Sequence, residues 1–269
     1  MILGFDKGAS AIKIAALEDD KVIFTKSVIG SEKSAEELVQ DFIKENAISI
    51  EDISAVASTG VGAEKCNFGE FENLVKTVSE IDATGEGGTW LSKIDDTVVV
   101  SIGTGTSLVL SKDSKYTHIG GSGVGSGTLR GLSKKMFGIL DLCELFKLAE
   151  TGNRLTVDIT IGDLFSGLDT LPLDLTASNL AKCRDDATDS DWAYAVINTV
   201  MEVAGSHAAL ACNGYGVKNV VITGGISQTK IAKAVYDNFT KLYKLNYVIP
   251  EHSGYATAIG AARRIINAT

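Results

Sequence analysis

Proline is nearly missing from this chain, with two residues against 28 glycines in 269. Disordered low-complexity segments are usually rich in both, so the glycines read as turn formers at defined places. Basic residues are in deficit: 25 Lys and Arg face 34 Asp and Glu, a formal net charge of −9. That excludes an extended nucleic-acid surface and a face for anionic membrane, although a local loop can still bind phosphate. Cysteine is scarce and scattered. Cys66, Cys143, Cys183 and Cys212 form no CxxC pair and no metal-type spacing. Neither a zinc site nor a disulfide framework is expected, and free thiols fit a reducing cytoplasm. The sequence shows no signal peptide and no apolar stretch long enough to span a membrane. Composition is otherwise that of a globular chain, 45% hydrophobic and 22% charged, with ample length for a core in one large domain or two small ones.

The chain is organised around residues 98–131. Val98-Val99-Val100 is a β-branched run that predicts a buried strand. It enters the turn Gly103-Thr104-Gly105-Thr106-Ser107, and Leu108-Val109-Leu110 returns as the second arm of a hairpin. The glycine-rich stretch Gly120–Gly127 then leads to a helix start at Thr128-Leu129-Arg130. A glycine loop feeding a helix N-terminus lets backbone N–H groups approach an anion. The two loops together suggest a phosphate clamp and a second ligand wall.

Before this stretch, residues 1–25 predict a three-stranded meander whose first turn is Asp6-Lys7-Gly8-Ala9-Ser10-Ala11-Ile12-Lys13. It offers a carboxylate for a magnesium shell, a glycine and a hydroxyl for phosphate oxygens, and a cation; an ordinary β-turn has the same residue types. Residues 33–45 predict a helix and 53–58 a strand. Glu80 and Asp82 fall at a strand-to-helix junction, as a general base for an alcohol proton or as acids favoured by the helix dipole. The first half therefore reads β-β-β-α-β-α, and Val98 opens another hairpin.

After it, residues 132–150 predict a helix broken or bent at Gly138, and Leu171-Pro172 a turn. Asp174–Asn179 reads as a capped start for a helix through Leu180-Ala181-Lys182. A long helix follows over 190–214, with His207 read as a core histidine. Next come a strand at 219–223, the turn Gly224-Gly225, a helix at 229–243, a strand at 247–249 and a small-residue helix from Ala256.

Taken in order, these segments resemble the type II pantothenate kinases over essentially the whole chain. The residues that carry the resemblance are Ser101–Ser107, His118–Leu132, Leu173–Lys182 and Val220–Gly225. The resemblance implies an α/β fold of duplicated ribonuclease H-like domains, of the actin, Hsp70 and sugar-kinase type, around a nucleotide cleft. Residues 1–95 would form one domain and 96–269 the other. The implied reaction is ATP-dependent phosphorylation of pantothenate, the first step towards coenzyme A, with magnesium. Glu80 matches the catalytic base. Asp6 would hold magnesium through water, and Gly8, Ser10 and Lys13 would meet the phosphates with Gly103. Gly121, Gly123, Gly125 and Gly127 would face the nucleotide, and Gly224 and Gly225 the adenosine. Thr104, Thr106 and His118 would touch the acceptor.

A homodimer through the long helix, and feedback by coenzyme A or its thioesters, are implied in the same way. The chain departs from the family pattern at Lys7, Ala9 and Ser10, at His118 where an arginine is usual, and at Ser126. Three rival readings are a kinase of this fold with another small hydroxyl acceptor, a cysteine-bridged dehydratase activator, and a non-catalytic regulator that binds ATP or coenzyme A.

Overall fold

The computed structural model describes residues 1–165 and 172–268. A meander of β1 (Ile2–Lys7), β2 (Ala11–Glu18) and β3 (Lys21–Ile29) is followed by α1 (Ala35–Glu45), β4 (Ala55–Thr59), β5 (Val75–Thr77) and α2 (Glu80–Ser92). A second meander, β6 (Thr97–Ile102), β7 (Thr106–Lys112) and β8 (Lys115–Ser122), precedes α3 (Ser126–Phe137) and α4 (Leu142–Ala149). An excursion holds β9 (Ile159–Thr160), α5 (Ile161–Leu164) and β10 (Thr176–Ser178). The chain closes with α6 (Asp189–Tyr215), β11 (Asn219–Thr223), α7 (Lys230–Tyr243), β12 (Asn246–Val248) and α8 (Ala256–Ile266).

The two five-stranded sheets have the same plan. One runs β3-β2-β1-β4-β5 and the other β8-β7-β6-β11-β12. Each begins with an antiparallel meander and adds two parallel strands. Local chemistry sets the helix ends. Ser34 and Glu37 form a reciprocal capping box at α1, as Thr188 and Asp191 do at α6. Gly138, with φ +75°, stops α3, which is the break expected within 132–150. The three valines of β6 are fully buried. Val98 and Val100 face the large core with α6, while Val99 meets Val109 and Val221 on the other side.

Two helices are exchanged between the halves. α2 lies on the second sheet, where Gly85 sits against the Tyr116 ring and Gly88 against Val99. α8 lies on the first, its Ala258, Ile259 and Ala262 packed with Ala15 and Leu17. The division at 95/96 separates the strands, but residues 256–266 cross back to the first sheet. Where α2 and α8 meet, a Cβ on Gly87 would overlap the Ala256 carbonyl, and one on Gly260 the Ala83 carbonyl.

Several expectations need correction. Residues 176–182 are not a helix start: Thr176–Ser178 is a strand paired with β9, and Leu180 turns with φ +59°. Tertiary partners outcompete the local cap there. Leu180 N–H donates to buried Asp158, while Thr176 and Asn179 donate to Glu202. Leu171, of the expected Leu171-Pro172 turn, lies outside the described residues. His207 is exposed rather than in the core. By length and hydropathy α6 could cross a membrane, contrary to expectation, but most of its apolar stretch is buried in the second core.

Gly87→Ala should lower unfolding free energy by about 3 kcal/mol or more, because backbone and not a flexible side chain blocks the new methyl. Gly214→Ala, in open space near the end of α6, should be neutral or gain about 0.5–1 kcal/mol. Denaturant unfolding of both variants checks the contrast.

Candidate active site

A cavity of about 890 Å³ opens between the sheets, at the carboxyl ends of β1, β6 and β11. Open α/β sheets place ligands at such ends. Asp6 enters from the last turn of β1 and is 6% exposed. It faces Lys13 in the β1–β2 register, with Lys13 Nζ 3.5 Å from its Oδ2. Burial pushes the Asp6 carboxyl above its ordinary value, against the pull of Lys13. Gly60, with φ +97°, makes room beside it: a Cβ there would press on Asp6 Oδ1 and Lys7 O. The hydroxyl of Thr59, the register partner of Asp6 on β4, is buried and makes no hydrogen bond.

Glu80 is the first residue of α2 and projects into the cleft. Partial burial, and then the Asp6 carboxylate, push its carboxyl up, while Lys13 opposes them. From the other domain comes the β6–β7 turn. Thr104 Oγ1 lies 2.7 Å from Ser10 Oγ, so the β1–β2 and β6–β7 turns touch across the cleft. Gly224, with φ +104°, closes the far side: a Cβ would overlap the backbone of Ile102. Gly225 lies beside it on the cavity wall.

The cavity thus brings together Asp6, Gly8, Ser10, Lys13 and Glu80 with Gly103, Thr104, Thr106, Gly224 and Gly225. Thr106 lines it, but its hydroxyl donates to Val124 O. Asp82 does not line it, and neither do Gly121, Gly123, Gly125 and Gly127. The expectation of free N–H groups in that glycine loop is corrected by its bonding. Ser126 N–H donates to Gly103 O at 2.8 Å and Gly127 N–H to Thr104 O at 2.9 Å. The α3 N-terminus therefore holds the β6–β7 turn in place. Gly125 is needed for that seat, because a Cβ would meet the carbonyls of residues 103, 104 and 105. His118 stands exposed on β8, opposite Val109, and is not brought to the cavity.

Sequence reasoning missed one end of the cavity. Arg130 of α3, Leu142 and Phe146 of α4, and Ile226 after the Gly224–Gly225 turn line it. The pairs Ser126/Arg130 and Leu142/Phe146 are each four residues apart, a spacing that puts both members on one helix face.

Among the described residues no group of three His, Cys, Asp or Glu could cage a metal. Magnesium seldom needs such a cage. It binds through one or two carboxylates, substrate phosphates and waters. A buried carboxylate with an unpaired hydroxyl beside it, Asp6 and Thr59, fits that mode.

Twin sheets with acid, hydroxyl and glycine turns converging on the cleft define the actin, Hsp70 and sugar-kinase class of nucleotide-cleft proteins. Within that class the chain belongs to the Fumble family, whose profile matches residues 96–264. It is 27% identical to a type II pantothenate kinase of Bacillus thuringiensis over 276 residues, covering 98% of each chain. In fold it is similar to the activator of the 2-hydroxyisocaproyl-CoA dehydratase from Clostridium difficile with bound ADPNP, with TM-score 0.69 and 15% identity. That match covers 99% of this chain and 94% of the other. A ROK family glucokinase from Streptomyces griseus, in complex with glucose and AMPPNP, matches with TM-score 0.59 and 13% identity over 98% of each chain.

Because folding raises the Asp6 pKa, its ionised form is a burden above the folded pKa, relieved progressively as pH falls through that pKa and gone below 3.8. Asp6→Asn should be at least as stable as the parent at pH 7, with the advantage shrinking on acidification. It should also weaken magnesium-dependent nucleotide binding. Denaturant unfolding at neutral and acidic pH tests the sign; a parent more stable at pH 7 would mean that the Lys13 pair outweighs burial.

Proposed function

We propose that the chain is a pantothenate kinase, transferring the γ-phosphoryl group of ATP to the primary hydroxyl of pantothenate. Near full-length similarity to type II pantothenate kinases supports the substrate. The observation that carries the chemistry is the convergence of Asp6, Ser10, Lys13 and Glu80 with the Gly103–Thr106 turn in one cavity. Phosphoryl transfer needs positioning and charge neutralisation more than covalent help.

Lys13 and the first turn hold the β- and γ-phosphates. Asp6 would hold magnesium through water, and the ion would supply charge neutralisation for the phosphates. The acceptor hydroxyl lies at Glu80, whose carboxylate takes its proton. The hydroxyl oxygen bonds to γ-phosphorus as the bond to the β,γ-bridging oxygen breaks, and ADP leaves with that electron pair. Thr104, facing Ser10 across the cleft, keeps the turn over the transferring group. A Glu80 pKa raised by burial and by the Asp6 carboxylate makes the carboxylate a better base.

The dimer belongs to the outer face of α6 in this reading. Leu210 there is 70% exposed, and Tyr215 is exposed at its end. Free thiols at all four cysteines fit a cytoplasmic location. His118, remote from the cavity, favours a second reading in which the acceptor is another small alcohol.

Purified protein with ATP, magnesium and pantothenate should give 4′-phosphopantothenate. Glu80→Gln should lower turnover by about 10²–10⁴-fold while ATP still binds. The acid limb of kcat/KM should lie above the ordinary glutamate value of 4.5, since protonated Glu80 cannot accept the proton. ATP binding without product from pantothenate, but with product from another alcohol, would select the second reading.

A further inference from the structure

Arg130 is a cation in the cavity wall that the mechanism above does not use. It lies on the face of α3 that also presents Ser126, while neighbouring Leu129 is fully buried in the core. Four helical residues advance about 6 Å. Arg130 is therefore one turn beyond the point where Ser126 N–H grips the Gly103 carbonyl. Leu142 and Phe146 on α4 and Ile226 give the same cavity an apolar lining. A flat base fits such a wall, and Arg130 shares the cavity with it and with the Gly103–Thr106 turn.

Charge points the same way. Lys13 is engaged by Asp6, and the Asp141 carboxylate caps α4 by accepting from Cys143 N–H. Arg130 is half-buried and makes no hydrogen bond or ion pair among the described residues. The acceptor hydroxyl must lie at Glu80, whose charged neighbours are Asp6 and Lys13 rather than α3. A phosphate that stays on the nucleotide is the anion within reach of Arg130, and guanidinium suits phosphate by its forked donors.

We infer that Arg130 clamps the α-phosphate of the nucleotide and sets the preference of the site for nucleotides over nucleosides. This rests on the nucleotide-cleft reading. Arg130→Gln keeps a good helix former at a half-exposed site, and circular dichroism verifies the fold. Calorimetric and competition binding of ADP, AMP and adenosine, with magnesium, gives the readout. The variant should lose about ten- to hundredfold in affinity for both ADP and AMP and nothing for adenosine, with Arg130→Lys in between.

Equal loss for adenosine, no loss for any of the three, or a change only in the KM of the alcohol acceptor would overturn the assignment. Parent protein that binds ADP and phosphorylates its acceptor, beside an unchanged Arg130→Gln, would overturn the clamp alone. Parent protein that binds no nucleotide would overturn the nucleotide reading, and the clamp with it. Parent protein that binds ADP but transfers no phosphate would overturn only the kinase reading.

Discussion

The close crossing of α2 and α8 is the constraint on which the site depends. Each helix lies on the sheet of the opposite half, and they meet backbone to backbone through Gly87 and Gly260. Gly4 lets Ala258 approach β1 in the same way. No side chain separates these segments, so the distance between the sheets is set by main-chain contact. That contact is stiff, because close-packed interiors transmit small shifts. The same helices begin at the cleft: α2 with Glu80, and α8 with Ala256 and Thr257 on the cavity wall. Thr84 and Thr257 hydroxyls, 3.3 Å apart, pin the two together one turn in. Glu80 is thereby held relative to Asp6 by the close helix crossing rather than by a loop.

The cleft also collects groups that stability alone would not select. Asp6 is buried with only one cation beside it, and Glu80 carries the Asp6 carboxylate as a charged neighbour. Burying such groups costs free energy unless a ligand completes them. Away from the cleft, one buried carboxylate is satisfied internally. Buried Asp158 accepts from Leu180 N–H, from Arg154 and from Asn198. The contrast between these two buried aspartates is one of hydrogen bonding: Asp158 has three donors, while Asp6 has only Lys13 beside it.

Much of this was legible in the residues. The Val98–Val100 run, the turn at Gly103 and the order of strands and helices announced the duplicated sheets, because local patterning and final burial agree there. Glu80 at a helix start and the Asp6–Lys13 turn were legible for the same reason. The glycine loop was misread because composition shows that backbone N–H groups are accessible, but not which acceptor takes them; here the carbonyls of Gly103 and Thr104 do. Residues 176–182 were misread because Asp158 and Glu202, distant in sequence, capture their polar groups. The exchange of α2 and α8 left only a trace, a surplus of Gly and Ala in both. Arg130 carried no signal until α3 and α4 were seen to share a wall.

The fold leaves the acceptor open. Two neighbours with the same twin-sheet cleft carry names for different chemistry, a dehydratase activator and a glucokinase, and both hold ATP analogues. What such proteins share is therefore the nucleotide half of the problem. In this chain the corresponding cleft is built from turns fixed by backbone contact: Gly60 beside Asp6, Gly125 beneath the β6–β7 turn, and Gly224 against Ile102. The acceptor half rests on side chains around Glu80 and Thr104, where a substitution changes chemistry without touching the frame. Lys7, Ala9, Ser10, His118 and Ser126, the departures from the family pattern, lie outside the helix crossing, although Ser126 N–H holds the Gly103 carbonyl. Side-chain changes around the acceptor can therefore leave the frame in place, because the frame is held by backbone contacts, the Thr104 carbonyl among them.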